Sequence, residues 1–255
     1  MNNLNVMEQT MLKKLTLAIS AASTCAFSGL ATSETFKSAA GEFDVSMTAT
    51  MASDYIWRGQ SQTAGNGAIQ GSLDIAHESG LYTGIWASNV DDFAFPGNNG
   101  GANMEVDYYF GYGGSITDDI TYDLSWATYT YPEASVWNTD EVLASISAYG
   151  FTLGTKYAYD PQSKLYTYIG YEYELPMEIG LALSYGQSDY KDPIDANGSN
   201  AKYDDWSIGL SKTLVGLDVS LTYTDTDIKS GTCEAWYGKN DYCDANVTVA
   251  VSKSF

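Results

Sequence analysis

From residue 43 onward, apolar and polar residues alternate with a period of two, the pattern of β-strands with two unlike faces. Over 43–57, Phe43, Val45, Met47, Ala49, Met51, Tyr55 and Trp57 fall on one face; Asp44, Ser46, Thr48, Thr50, Asp54 and Arg58 fall on the other. Over 164–175, Leu165, Ile169, Tyr171, Tyr173 and Leu175 oppose Lys164, Tyr166, Tyr168, Gly170, Glu172 and Glu174. The same reading predicts strands over 68–78, 81–90, 104–114, 120–131, 140–149, 151–160, 179–190, 203–214, 217–228 and 246–255, twelve in all. The connectors alternate in length. Short ones lie near Ser79-Gly80, Thr117-Asp119, Tyr149-Gly150, Pro176-Met177 and Val215-Gly216. Longer ones lie near 60–67, 91–103, 132–139, 160–163, 191–202 and 229–245.

A soluble sandwich would show the same alternation with the apolar face turned inward. Two features point to lipid instead. Aromatics such as Tyr55, Trp57, Tyr122, Tyr171 and Tyr173 sit near the ends of the apolar faces, as interfacial girdles require. The chain also closes on Phe255 after Val247, Val249 and Val251, which resembles the terminal assembly signal of outer-membrane proteins, although Lys253 interrupts the series. The expected fold is all-β: an antiparallel up-and-down transmembrane β-barrel of about 12 strands, with short turns on the periplasmic side. A mean hydropathy of −0.21 is compatible with this, because only every second strand residue faces lipid.

The first residues carry a different signal. Lys13 and Lys14 precede the apolar stretch from Leu15 to Leu30, and small or polar residues follow at Ala31-Thr32-Ser33. That order reads as a cleaved signal peptide over 1–33, cut after Ser33 or after Ala31, with Met11 a candidate initiator. Residues 34–255 then form the barrel, expected in the outer membrane of a Gram-negative bacterium. Export leaves Cys233 and Cys243, an even pair in an oxidising compartment, so a loop disulfide is expected.

The net charge of −20 excludes nucleic acid as a partner. The expected partners are outer-membrane lipid and lipopolysaccharide, the barrel-assembly machinery, and small solutes or cations.

The segment Ala52-Ser53-Asp54-Tyr55-Ile56-Trp57-Arg58-Gly59-Gln60-Ser61-Gln62-Thr63 resembles the opening motif of the TorF porin family. Gly84-Ile85-Trp86-Ala87-Ser88-Asn89-Val90-Asp91 resembles its next hairpin, with further echoes at Asp205–Gly209 and Tyr223–Ile228. The resemblance implies an outer-membrane, porin-like protein. The family's name links it to trimethylamine N-oxide, a molecule without net charge that an acidic lumen would not select.

The candidate lumen residues are Asp44, Asp54, Arg58, Asp74, Glu105, Asp107, Asp123, Lys156, Lys164, Glu172, Glu174 and Asp218. Their acid excess predicts a cation-preferring pore. Arg58 reads either as a fixed charge at a constriction or as a brace paired with lumen carboxylates. Twelve strands leave both a narrow channel and a closed lumen open, with Tyr109, Tyr129, Tyr166 and Tyr168 able to narrow it. No spacing suggests a cofactor, a metal site or a catalytic centre around His77, the sole imidazole. The expected function is passive diffusion of small solutes or cations. A non-conducting structural or receptor barrel is the alternative, and an outer-membrane hydrolase a third.

Overall fold

The computed structural model describes residues 33–95, 101–191 and 201–255. The segment 1–33, expected to be a signal peptide, lies outside the described residues apart from Ser33. Strand β1 is Glu34–Ser38 and β2 is Gly41–Ala52; a small hairpin follows, β3 (Ile56–Trp57) and β4 (Gln60–Ser61). The wall continues through β5 (Ala68–His77), β6 (Leu81–Asn89), β7 (Met104–Thr117), β8 (Ile120–Thr130), β9 (Thr139–Ala148) and β10 (Phe151–Asp160). It is completed by β11 (Lys164–Leu175), β12 (Ile179–Tyr190), β13 (Lys202–Leu214), β14 (Leu217–Thr226) and β15 (Asn246–Ser254). A helix, α1 (Ser230–Tyr237), sits in the loop between β14 and β15.

Each wall strand pairs antiparallel with its neighbour, and β15 returns to β2 over Ala250↔Ala52 to Ser254↔Thr48. The result is a closed antiparallel barrel of twelve strands, β2 and β5–β15, as the alternation predicts. Closure satisfies the backbone of every wall strand, which a bilayer demands. At the short-turn end β15 stops early. Phe255 exchanges backbone bonds with Met47 (3.1 and 2.9 Å), and β1 takes over the same edge of β2 from Val45 to Gly41. This N-terminal strand has no counterpart in the predicted elements, because five residues with two charges of opposite sign carry no clear apolar face.

The faces are inverted relative to a soluble protein. On β10 the outward series is Phe151, Leu153, Thr155, Tyr157 and Tyr159, aromatic at both ends with Leu153 and Thr155 between. Met51, Ile69, Leu124 and Val249 are likewise exposed, forming a surface that lipid rather than water solvates. The buried apolar cluster is not on the outer face of the wall; inward wall residues such as Ala127 and Tyr129 contribute to it. It lies inside the barrel at the loop end, among Tyr55, Val90, Phe95, Tyr131, Cys233 and Tyr242.

Candidate functional site: the lumen and its inward hairpin

The first wall strand ends at Ala52, five residues earlier than its alternation predicts. Segment 53–67 leaves the wall and folds into the barrel. Tyr55 and Trp57 therefore do not belong to an outer girdle: Tyr55 is 1% exposed and packs edge-on against Trp86 inside the barrel. Asp54 and Arg58 are inward, but on this segment and not on a strand face. The period-two pattern continues past Ala52 because a buried hairpin also sorts its residues into two faces.

The hairpin turns at Arg58-Gly59, both with positive φ (48° and 79°), the geometry of a tight two-residue turn. A Cβ on Gly59 would lie 2.8 Å from Asp205 Cβ, so the tip touches the β13 wall. Arg58 holds an unfavourable backbone region because its side chain is over-determined. Its Nη2 donates to Glu141 Oε1 at 2.7 Å and Oε2 at 2.8 Å. Its guanidinium lies over the rings of Trp57 (4.1 Å) and Tyr166 (4.5 Å). The sequence expectation of an arginine paired with lumen acid has Glu141 as its partner, not Asp44 or Asp54.

The rest of the segment is tied down on several sides. Asp54 accepts from Ser61 (2.7 Å), Thr63 (2.6 Å) and Asn246 (2.6 Å). Gln60 donates to Tyr203 at 2.5 Å and accepts from Tyr237. The 229–245 loop lies over it as a cap. There the disulfide Cys233–Cys243 spans a Cα separation of 6.1 Å and closes α1, which ends on Gly238 in the left-handed conformation. Tyr237 and Tyr242 stack at 4.8 Å, and the Tyr242 carbonyl accepts the Ser61 N–H at 2.7 Å. The Tyr242 phenol donates to Asp91, and its pKa is held above the ordinary tyrosine value, by burial first and then by that bond.

Below the hairpin the lumen contains a cavity of about 530 Å³, running from the tip down to the short turns at Asp118-Asp119 and Tyr149-Gly150. Four close approaches between tyrosine and glycine keep it from being filled. A Cβ on Gly84 would strike Tyr109, on Gly111 Tyr82, on Gly154 Tyr168 and on Gly186 Tyr166, all within 2.5 Å. The rings thus lie against the wall over side-chain-free positions of the neighbouring strand. Tyr109, Tyr166 and Tyr168 narrow the lumen less than their bulk suggests, while Tyr129 turns toward the hairpin and donates to Glu141 at 3.0 Å.

Charges inside the barrel are unevenly placed, and of the predicted inward charges only Arg58, Asp123, Lys156 and Glu172 line the cavity. Asp74 (β5), Glu105 and Asp107 (β7) and Asp123 (β8) are inward acids. Tyrosines donate to three of them: Tyr109 to Asp74, Tyr131 to Glu105 (2.8 Å) and Tyr82 to Asp123 (2.7 Å). Lys156 on β10 and Lys164 on β11 are buried beside Arg58, with Lys164 over the rings of Trp57 and Tyr190 at 4.5 Å each. Glu172 lines the cavity wall. Asp44, Glu174 and Asp218 sit toward the short turns; Asp44 accepts from Thr35 and Asp218 from Thr213. His77 lies beside a short turn, bonded to Ser79 and the Ala40 carbonyl, and away from the cavity lining.

The predicted set lacked Glu141 and Asp205. Alternation could have found both, since Val142 and Ile146 on β9, and Trp206 and Ile208 on β13, point outward.

A family model described as a bacterial protein of unknown function, Gcw_chp, matches residues 36–255. No curated protein matches the chain. Among solved structures, a KdgM porin aligns at TM-score 0.51 and 9% identity, over 82% of this chain and 99% of the porin. A NanC porin aligns at TM-score 0.52 and 9% identity, over 82% of this chain and 97% of the porin. Identity this low relates the chain to them by fold, that of an outer-membrane porin barrel.

Proposed function

The chain belongs to that bacterial family of unknown function, and we propose that it is a porin-like outer-membrane channel for passive diffusion of small solutes or cations, constricted by its inward hairpin. The observation that carries this reading is the cavity of about 530 Å³ beneath the Arg58–Gly59 tip, lined by charged side chains at both ends. Barrels of about eight strands fill their interior with side chains, and the larger porins leave an aqueous channel. Here tyrosines are laid back over glycines and the space stays free. The TorF-like motifs and the fold shared with porins agree with it. Export by a signal peptide over 1–33, insertion by the barrel-assembly machinery, and contact with lipopolysaccharide belong to the same proposal.

Selectivity for cations follows from the lining acids, which outnumber Arg58, Lys156 and Lys164. The second reading, a barrel that does not conduct, draws on the segment 53–67 lying across the lumen under its disulfide-closed cap. Planar-bilayer recording of the refolded protein separates the two. Discrete conductance steps, with a reversal potential in a KCl gradient on the cation side, are expected. Silence at all voltages and salts tested would count against the channel, and an anion-side reversal potential against the selectivity. Ester or lipid hydrolysis that disappears in His77→Ala would instead point to an enzyme.

A further inference from the structure

The roof of the cavity holds both a donor and an acceptor whose hydrogen bonds are unmade. Arg58 is 5% exposed and Asp205 6%, and both line the cavity. The pair with Glu141 uses only Nη2 of Arg58; its Nε and Nη1 have no partner. Asp205 accepts from the Tyr166 phenol through Oδ1 at 3.1 Å, and its Oδ2 has no partner. Buried charged groups with unmade bonds are costly, so a ligand that completed them at this cavity end would gain free energy.

Arg58 and Asp205 are also held close. The guanidinium sits 4.5 Å from the Tyr166 ring centre, and Asp205 binds the hydroxyl of that same ring. One phenol ring therefore sets their spacing. A small molecule that carries both a carboxylate and an ammonium offers a charged partner to each of them. Lys156, 7% exposed, lines the same cavity and adds positive charge at its upper end.

The entrance selects in the same direction. Asp118, Asp119 and Glu172 line the cavity toward the short turns, so a bare anion is repelled on entry. A bare cation passes them but meets Arg58 and Lys156 at the roof. A molecule carrying both charges avoids both penalties. The geometry points to a binding site for small zwitterions of the α-amino acid type at the roof of the cavity, with the carboxylate toward Arg58 and Lys156 and the ammonium on Asp205. This rests on the reading of the lumen as a solute path and names the class of solute.

The test is calorimetric titration of the refolded, detergent-solubilised protein with alanine, propionate, ethylammonium and glycerol. The last three carry either single charge or hydroxyls alone. Alanine is expected to bind tightest. Asp205→Asn and Lys156→Gln, each confirmed as a folded barrel by resistance to SDS at room temperature, are expected to weaken it at least about tenfold, the scale of one lost charged hydrogen bond. Binding of propionate, ethylammonium or glycerol as tightly as alanine would overturn the assignment, as would no alanine binding or an unaltered Asp205→Asn. Because titration needs no conduction, bilayer silence with alanine binding retained would remove the channel and leave the site. Conductance without alanine binding would remove the site alone.

Discussion

Glu141→Gln is the most informative single change, because it acts on one pair that fastens the hairpin while leaving the wall ladder intact. The Arg58 and Glu141 side chains are 2% and 1% exposed, so neither charge has water to fall back on. Removing one partner of a buried ion pair costs about 3–5 kcal/mol, most of it the penalty of the charge left behind. Glutamine keeps the shape and one acceptor, which places this variant near the lower end, about 3 kcal/mol. The wall does not absorb that cost, since β8–β9 and β9–β10 keep their backbone pairing. It falls on docking of segment 53–67, whose docked-to-undocked ratio drops about a hundredfold at 1.4 kcal/mol per decade. The assay is single-channel recording in planar bilayers. Glu141→Gln is expected to raise the frequency or size of openings over wild type. The paired replacement Arg58→Met with Glu141→Leu fills the same space without leaving a lone charge and is expected to keep the hairpin docked, so that openings are no more frequent than in wild type whatever the change in ion selectivity. The reasoning fails if Glu141→Gln records like wild type, or if the apolar pair opens the channel as much as the single change.

Three further outcomes follow from the same contacts. Gly186→Val places carbon where a Cβ already lies 2.1 Å from the Tyr166 hydroxyl, so the ring must swing into the cavity; conductance is expected to fall and to recover when Tyr166→Ala is added. Removing the disulfide by Cys233→Ser with Cys243→Ser releases a ten-residue separation worth about 2–3 kcal/mol of loop order, so trypsin is expected to cut faster at Lys229 or Lys239 while the barrel stays resistant; an unchanged cleavage rate would show that the cap does not depend on it. Leu153→Arg puts a charge on the middle of the lipid-facing series of β10 and is expected to cost about 2–4 kcal/mol in urea unfolding from vesicles, whereas a soluble-type barrel with water on that face would lose almost nothing.

Much of the wall was legible because lipid on one side and a polar lumen on the other force one residue in two to each face. From β5 to β15 the predicted strands agree with the structure within three residues at either end, and the alternating connector lengths place the start of β2 and the end of β15 beside the short turns. The loop between Cys233 and Cys243 was legible for a chemical reason, an even thiol pair in a chain expected to be exported. Lumen acids such as Asp74, Glu105 and Asp123 followed directly from strand parity.

Parity states which face a residue takes, but not whether the strand continues. At Ala52 the local pattern allows the wall to run on through Tyr55 and Trp57. The contacts that end it come from far along the chain: Glu141 for Arg58, Asn246 for Asp54, and Tyr203 and Tyr237 for Gln60. The state of the lumen was hidden for the same reason. Tyr82-x-Gly84 and Tyr109-x-Gly111 leave room for one another only because antiparallel pairing sets each ring opposite the other strand's glycine. The sequence by itself determined the strands, their number and which residues share a face, since those depend on local periodicity. The tertiary structure alone decided that the first loop turns inward and that a cavity remains beneath it, since both depend on pairs brought together by closing the sheet.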